Sequence, residues 1–374
     1  MPTIEMAPAA VESPCASILE LSARGLEQMF DREQQLFCFS MRETPGGLVR
    51  TGVSPRYTMM TLLGLHRWEQ SGHSSPVPLS PVLDRLLADT RWLNCLGDLG
   101  LLLWTCATLD PDRLPALVES TPTRDALDRY PDGSSRPSME LAWFLTGLCC
   151  SLRTRAPGIS DLHIQANDAF QLLISNQGPK AIFGHVARVK SFAGLLRGSI
   201  GSFADQVYPI YALAEFGALT SHREALGRAS ACAVTICNLQ GLNGEWWWHY
   251  DATNGRVIDT YPVYSVHQDG MAPMALFALA DATGHDYSAP IAKGLSWIAG
   301  HNDLAYDMRS NYSDVIWRNL QLPRREQYLR RLMPSRQNSP TPPSDLEVNR
   351  ECRPYELGWA LYALSGRDLS SAVD

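Results

Sequence analysis

The stretch DLGLLLWTCATL, residues 98–109, sets one acid, Asp98, at the head of an apolar run of helical character, and four other stretches repeat the arrangement. Glu140 opens ELAWFLTGL, Asp205 opens DQVYPIYALAEFG, Asp269 opens DGMAPMALFALADATG and Glu356 opens ELGWALYALSG. The copies pair further: Glu140-Leu-Ala-Trp143 echoes Glu356-Leu-Gly-Trp359, and Asp205 and Asp269 are each followed at +4 by a proline, Pro209 and Pro273. Successive acids lie 42, 65, 64 and 87 residues apart. Repeats of that length are stacked supersecondary units, none of which can bury its apolar face alone. If the units are helix pairs closed into a ring, the five acids converge at one mouth.

A sixth apolar run, RYTMMTLLGLHRW, begins at Arg56-Tyr57. Between the runs lie mixed segments at 17–37, 80–93, 161–176, 221–240 and 288–302, whose apolar spacing is nearer 3.6 than 2. Near-continuous apolar helices alternating with amphipathic ones predict an all-α (α/α)6 toroid, an inner ring sheathed by an outer one. Strand signals are weak outside 246–264, where the turn Thr253-Asn-Gly255 predicts a hairpin-like loop over the mouth. Residues 1–16 read as a disordered tail, 17–374 as one toroid domain, and the Pro/Ser-rich 333–349 as a mobile insertion.

The 45% apolar fraction suits a large core, and a net charge of −7 argues against a nucleic-acid partner. No apolar stretch reaches membrane-spanning length and the acidic N-terminus is unlike a signal peptide. Nine scattered cysteines, with no CxxC pair, fit reduced thiols in a cytoplasm. These features predict a cytoplasmic protein acting on a small molecule; they name no cofactor, metal, macromolecular partner or oligomeric state.

Gln240 with Gly244-Glu-Trp246 matches the Gln-x-x-x-Gly-x-Trp element of terpenoid cyclases and related prenyltransferases, and the chain resembles that superfamily. Partial copies are Lys293-Gly294-Leu-Ser-Trp297 and Asn176-Gln177-Gly-Pro-Lys-Ala-Ile-Phe183. In the element the Gln amide is expected to tie the rings at a helix end while the indole packs over it. The tail Pro354-Tyr-Glu-Leu-Gly-Trp359 resembles the last inner helix of the protein prenyltransferase β-subunit, but Glu356 stands where that family has a zinc-binding His. Ser265-Val-His267-Gln268-Asp269 resembles the Asp-x-Asp-Asp-Thr stretch of proton-initiated cyclases, with Gln268 at the position of the central acid. The Asp-Asp-x-x-Asp magnesium motif is absent.

The resemblance implies proton-initiated cyclisation or isomerisation of an isoprenoid-type substrate, with Asp269 or His267 as donor and Glu356, Asp205 and Glu140 as further catalytic acids. Trp247, Trp248, His249, Tyr250, Tyr261 and Tyr264 would shield a cation by cation–π attraction. Gln268, Asp98, Arg56, Tyr57, Arg318, Arg353 and Tyr355 would complete the substrate site. Two other readings stay open. The same carboxylates are paired acids and bases in a carbohydrate-active epimerase, lyase or hydrolase, with tryptophans as a sugar platform. A non-catalytic binding toroid is the third. Each acid also has a structural reading, since a carboxylate in a first helical turn meets free N–H groups and the positive end of the dipole.

Overall fold

The computed structural model describes residues 14–129, 137–186, 198–323 and 343–367. Twelve helices of seven or more residues occur among them: α1 Pro14–Met29, α2 Pro55–Gln70, α3 Leu79–Ala88, α4 Leu96–Leu109, α5 Leu114–Ser120 and α6 Ser138–Thr154. They continue with α7 Leu162–Ile174, α8 Ala204–Thr220, α9 Arg223–Asn238, α10 Ala272–Thr283, α11 Ser288–Ile298 and α12 Pro354–Leu364. The even-numbered helices each pack on the next, and α12 returns to α2, which closes an inner ring. The odd-numbered helices lie outside it. Composition dictates the division. α4 is buried continuously from Leu96 to Ala107, whereas outer α9 buries only Ala225, Ala229, Cys232, Ala233 and Ile236, one face of a helix. The fold is the expected (α/α)6 toroid.

Two seams of the ring are held by glycines. A side chain at Gly64 would collide with the Gly358 carbonyl, joining α2 to α12, and one at Gly147 would collide with the Gly100 carbonyl, joining α6 to α4. The axis is filled by aromatics. Trp104 of α4 stacks 5.2 Å from Tyr211 of α8 and 5.5 Å from Trp359 of α12, and Trp359 Nε1 donates to Tyr208 Oη at 2.9 Å. These three helices are alternate members of the ring, so their side chains meet only at its centre.

The Gln-x-x-x-Gly-x-Trp element does different work from the inter-ring tie expected of it. Gln240 Nε2 donates to the carbonyls of Gly244 and Pro290, both at 3.0 Å, which joins the end of α9 to the next outer helix, α11. Gln177 repeats the geometry, donating to Ala181 O at 3.1 Å and to Arg228 O in α9 at 3.0 Å. Six residues after each Gln stands a fully buried aromatic, Phe183 or Trp246. Asn302 is a shorter relative that donates to Tyr306 O at 2.7 Å ahead of buried Met308. The element therefore links successive outer helices. Gln240→Ala should lower stability by about 1–2 kcal/mol in denaturant unfolding, because two carbonyls lose a donor; an unchanged midpoint would show the link to be dispensable.

Short strands are more frequent than the sequence reading allowed. Helix α1 stops at Met29, and the hairpin Leu36–Thr44 with Gly47–Val53 follows, so the helical reading of 17–37 is corrected over its last third. The loop after Trp246 forms the expected hairpin, His249–Asp251 with Val257–Asp259, joined by Ile200–Ser202 as a third strand. Residues 1–13 and 333–342 lie outside the described residues, so most of the tail and most of the insertion do too, while residues 14–16, expected in the tail, begin α1. Of the insertion's remainder, Glu347–Asn349 is not a loose loop: it pairs antiparallel with Asn319–Gln321. Cys38, Cys95, Cys106, Cys149, Cys150, Cys232, Cys237 and Cys352 are free thiols.

Candidate functional site

Inner helices of like direction put their first turns at one end, and the acidic register follows from that. Asp98, Glu140 and Glu356 each occupy the third position of α4, α6 and α12, counted after Cys95, Pro137 and Arg353. Asp205 lies in the first turn of α8, and Asp269 in a π-helical turn, His267–Met271, that leads into α10. There Ala272 N–H closes on the His267 carbonyl, and Pro273 has no N–H for the Asp269 carbonyl.

The five acids have five different surroundings. Asp205 is saturated: it accepts from Ser202 N and Oγ at 2.9 Å, Met139 N at 3.3 Å and His185 Nδ1 at 3.1 Å. It acts as a strut between α6 and α8, and the hydrogen bond raises the His185 pKa. Asp98 is buried and accepts from Arg56 Nε at 2.6 Å, while the Arg56 guanidinium also lies over the Trp143 ring at 5.8 Å. Glu140, half-buried, stands within electrostatic range of Arg56 and His185 but has no hydrogen-bond partner among the described residues. Glu356 accepts from Arg353 N at 2.9 Å and lies 3.2 Å from Arg318 Nη1, an ionic contact without hydrogen-bond alignment. Burial, then the nearby Glu356, pushes the Asp269 carboxyl well above the usual carboxylate range, and its Oδ1 has no hydrogen-bond partner among the described residues.

A second layer comes from residues that the sequence reading missed. Glu351 gathers three arginines: Arg353 Nε at 2.7 Å, Arg42 Nη2 at 2.5 Å and Arg318 Nη1 at 3.3 Å. Phe39, on the N-terminal hairpin, stacks 5.4 Å from Tyr57 and receives the Arg353 guanidinium at 4.7 Å. Tyr57 in turn packs 4.6 Å from Tyr355 and accepts from Arg353 Nη1 at 2.9 Å. Arg56, Tyr57, Arg353, Tyr355, Arg318 and Glu356 thus form one band around the mouth. His185 and Asp259 also escaped the reading: His185 reaches Asp205 from a loop with no local motif, and Asp259 meets His249 only through the register of the hairpin.

The aromatic wall expected from 246–250 is only partly there. Trp248 lies 4.7 Å from Tyr264 and 5.9 Å from His267, with Arg318 5.2 Å from the Tyr264 ring, so Trp248, Tyr264 and His267 join the band through Arg318. His249 is held by Asp259 at 2.6 Å. Tyr250 is fully buried in the core, Trp247 is occupied with the Leu239 carbonyl at 2.8 Å, and Tyr261 is hydrogen-bonded to Asp303. Gln268 is fully buried and donates to Tyr264 O at 3.2 Å, a packing position and not a substitute acid.

His267 departs from its expected role as a proton donor. Burial lowers its pKa to about 3, with a weak opposing bond to the Trp246 carbonyl, so the ring is neutral near pH 7. The sign of the stability effect follows. Below the ordinary value of 6.5 the unfolded chain takes up a proton that the folded imidazole refuses, so stability falls as pH drops from 6.5 toward 3. Between neutrality and about pH 4.5 this one group costs on the order of 2 kcal/mol, and His267→Gln should flatten that slope in unfolding curves at the two pH values. An unchanged slope would mean that the imidazole protonates without unfolding.

No protein-family model and no curated protein sequence matches the chain. Solved structures do. A possible member of the GH105 family from Salmonella enterica subsp. enterica serovar Paratyphi A superposes with a TM-score of 0.62 at 12% identity, over 96% of this chain and 95% of that one. An unsaturated glucuronyl hydrolase from Bacillus sp. GL1, described as responsible for glycosaminoglycan degradation, matches with a TM-score of 0.57 at 13% identity, over 94% and 95%. An unsaturated glucuronyl hydrolase specific for heparin gives 0.56 at 15%, over 94% and 95%. At these identities the likeness is one of fold. It corrects the terpenoid-cyclase reading, together with the isomerase and biosynthetic roles attached to it: the toroids that match this chain end to end include glucuronyl hydrolases. The mouth agrees, since arginines and carboxylates line it where a hydrocarbon cation would need an apolar wall. Among the described residues, no helix is long and apolar enough to cross a membrane.

Proposed function

We propose that the chain is a carbohydrate-active hydrolase that works at the acidic mouth on a saccharide bearing a uronic acid, with an unsaturated glucuronyl unit as the leading candidate. The observation that carries this reading is the pair on α4 and α6. Asp98 is buried and fixed by Arg56, and Glu140 beside it is partly open and has no hydrogen-bond partner among the described residues. Hydrolysis of a sugar unit needs one group to move a proton and another to hold water or substrate in place. In this reading Glu140 takes the first duty and Asp98, oriented by Arg56, the second.

A uronic acid supplies a carboxylate, and Arg318 and Arg353 supply cations to receive it. Guanidinium binds carboxylate in a bidentate fork. Trp248 and Tyr264 offer ring faces beside Arg318 for the C–H face of a sugar. The names of the matching structures support the substrate class, and the arginine-rich band supports the acidic unit.

The test is incubation with unsaturated uronyl disaccharides prepared by lyase digestion of glycosaminoglycans and of plant or bacterial polysaccharides. Turnover appears as loss of the ultraviolet absorbance of the conjugated double bond, with addition of water seen by mass spectrometry. No turnover across sulfated and unsulfated members of such a panel would overturn the proposal.

A further inference from the structure

We propose that the opposite end of the ring carries a second binding site, for a small organic monoanion: a carboxylate on a compact apolar group, anchored by Arg67. A cavity of about 150 Å³ opens there between the last turns of α2, α8, α10 and α12. Its polar lining includes Arg67, Glu215, Asp281 and Arg367. The two acids are already matched. Arg367 binds Asp281 through Nη1 and Nη2 at 2.9 and 2.5 Å, and Arg153 binds Glu215 at 2.6 Å.

Arg67 is the arginine left over. It has no ion pair among the described residues, its Nε is buried without a hydrogen-bond partner, and its guanidinium lies 5.2 Å from the Tyr362 ring, with Asp281 within electrostatic range but already bound by Arg367. The negative end of α2 explains a cation in that turn. It does not explain a buried donor left unmade, which native structures rarely tolerate. A second donor faces the same space. The hydroxyls of Tyr211 and Tyr362 lie 2.6 Å apart, so one proton bridges them and the other has no acceptor among the described residues.

Surplus donors and, among the described residues, three arginines (Arg67, Arg153 and Arg367) against two acids (Glu215 and Asp281) call for an anion with two acceptor oxygens. The remaining wall supplies the apolar contacts, from Met274, Phe277 and Ala278. The volume sets the size, since an apolar cavity of roughly 150 Å³ accommodates a benzene ring. Aromatic fill on the axis separates this site from the mouth, so the inference is independent of the proposed hydrolase activity.

Calorimetric titration of the full chain with benzoate, isobutyrate, inorganic phosphate and chloride tests it. Saturable binding of the carboxylates is expected, with affinity lowered about tenfold or more in Arg67→Met, the loss of a charge-assisted bidentate contact. Ala278→Leu, which narrows the cavity and leaves Arg67 in place, should weaken benzoate more than isobutyrate and decides the matter if Arg67→Met fails to fold. Glu140→Gln should bind both carboxylates as the unaltered chain does. Equal carboxylate affinity in Arg67→Met, no carboxylate saturation, or binding of phosphate or chloride alone would overturn the proposal.

Discussion

Glu140→Gln should reduce kcat/KM on an unsaturated uronyl disaccharide by about 100- to 10,000-fold, the range by which a positioned proton-transfer group accelerates a reaction. The substitution preserves shape and removes only the capacity to exchange a proton. Because Glu140 makes no hydrogen bond among the described residues, its loss should leave the fold and the ring seams intact. Substrate binding should survive in the variant, so the loss falls on kcat and not on KM. Asp98→Asn should behave differently. It deprives the Arg56 guanidinium of its carboxylate, so misplacement of Arg56 should raise KM as well as lower kcat. Rates within about threefold of the unaltered chain for Glu140→Gln, with turnover otherwise established, would move the proton-transfer role elsewhere. Asp269, buried and pushed toward its neutral form, is then the first place to look.

The largest stability effect is expected at the closing seam of the ring. Gly358→Val places a branched side chain against the backbone of α2: even a first carbon at Gly358 lies 2.8 Å from Thr61 Cα. Backbone cannot step aside as a side-chain tip can, so α12 must move away from α2 and open the ring. A loss of about 3 kcal/mol or more is expected by denaturant unfolding, a large share of the 5–15 kcal/mol that holds a typical domain together. Gly227→Ala is the matching control. It lies within α9 with no atom within 4 Å of an added carbon, and it should gain roughly 0.5–1 kcal/mol from helix propensity. Equal effects from the two substitutions would show that the seam is not tight.

The ring was legible because inner helices cannot hide their composition. A run such as DLGLLLWTCATL has no polar face, so it must be surrounded, and its leading acid marks which end lies at the mouth. Three of the five acids occupy the same helical position, which is why the register showed in one dimension. Outer helix α5 did not show: at seven residues, Leu114–Ser120, it is too short to display a period. The N-terminal hairpin was lost because Phe30–Phe37 continues the apolar spacing of α1 while the chain has already turned. With that hairpin went Phe39 and Arg42. Glu351 was illegible for another reason, since its partners Arg42 and Arg318 lie 309 and 33 residues away and only the closed ring brings them together. The cyclase resemblance misled because a Gln that bridges outer helices records how the toroid is built, whatever reaction its mouth performs.

The aromatic fill on the axis has a topological consequence. With Trp104, Tyr211 and Trp359 meeting at the centre, the toroid is a cup and not a tunnel. A polymer cannot thread through it, and whatever is drawn in must back out by the way it came. Under the proposed hydrolase reading, a long saccharide would present a chain end to the mouth that carries Asp98 and Glu140, and it would be shortened from its terminus, one visit at a time.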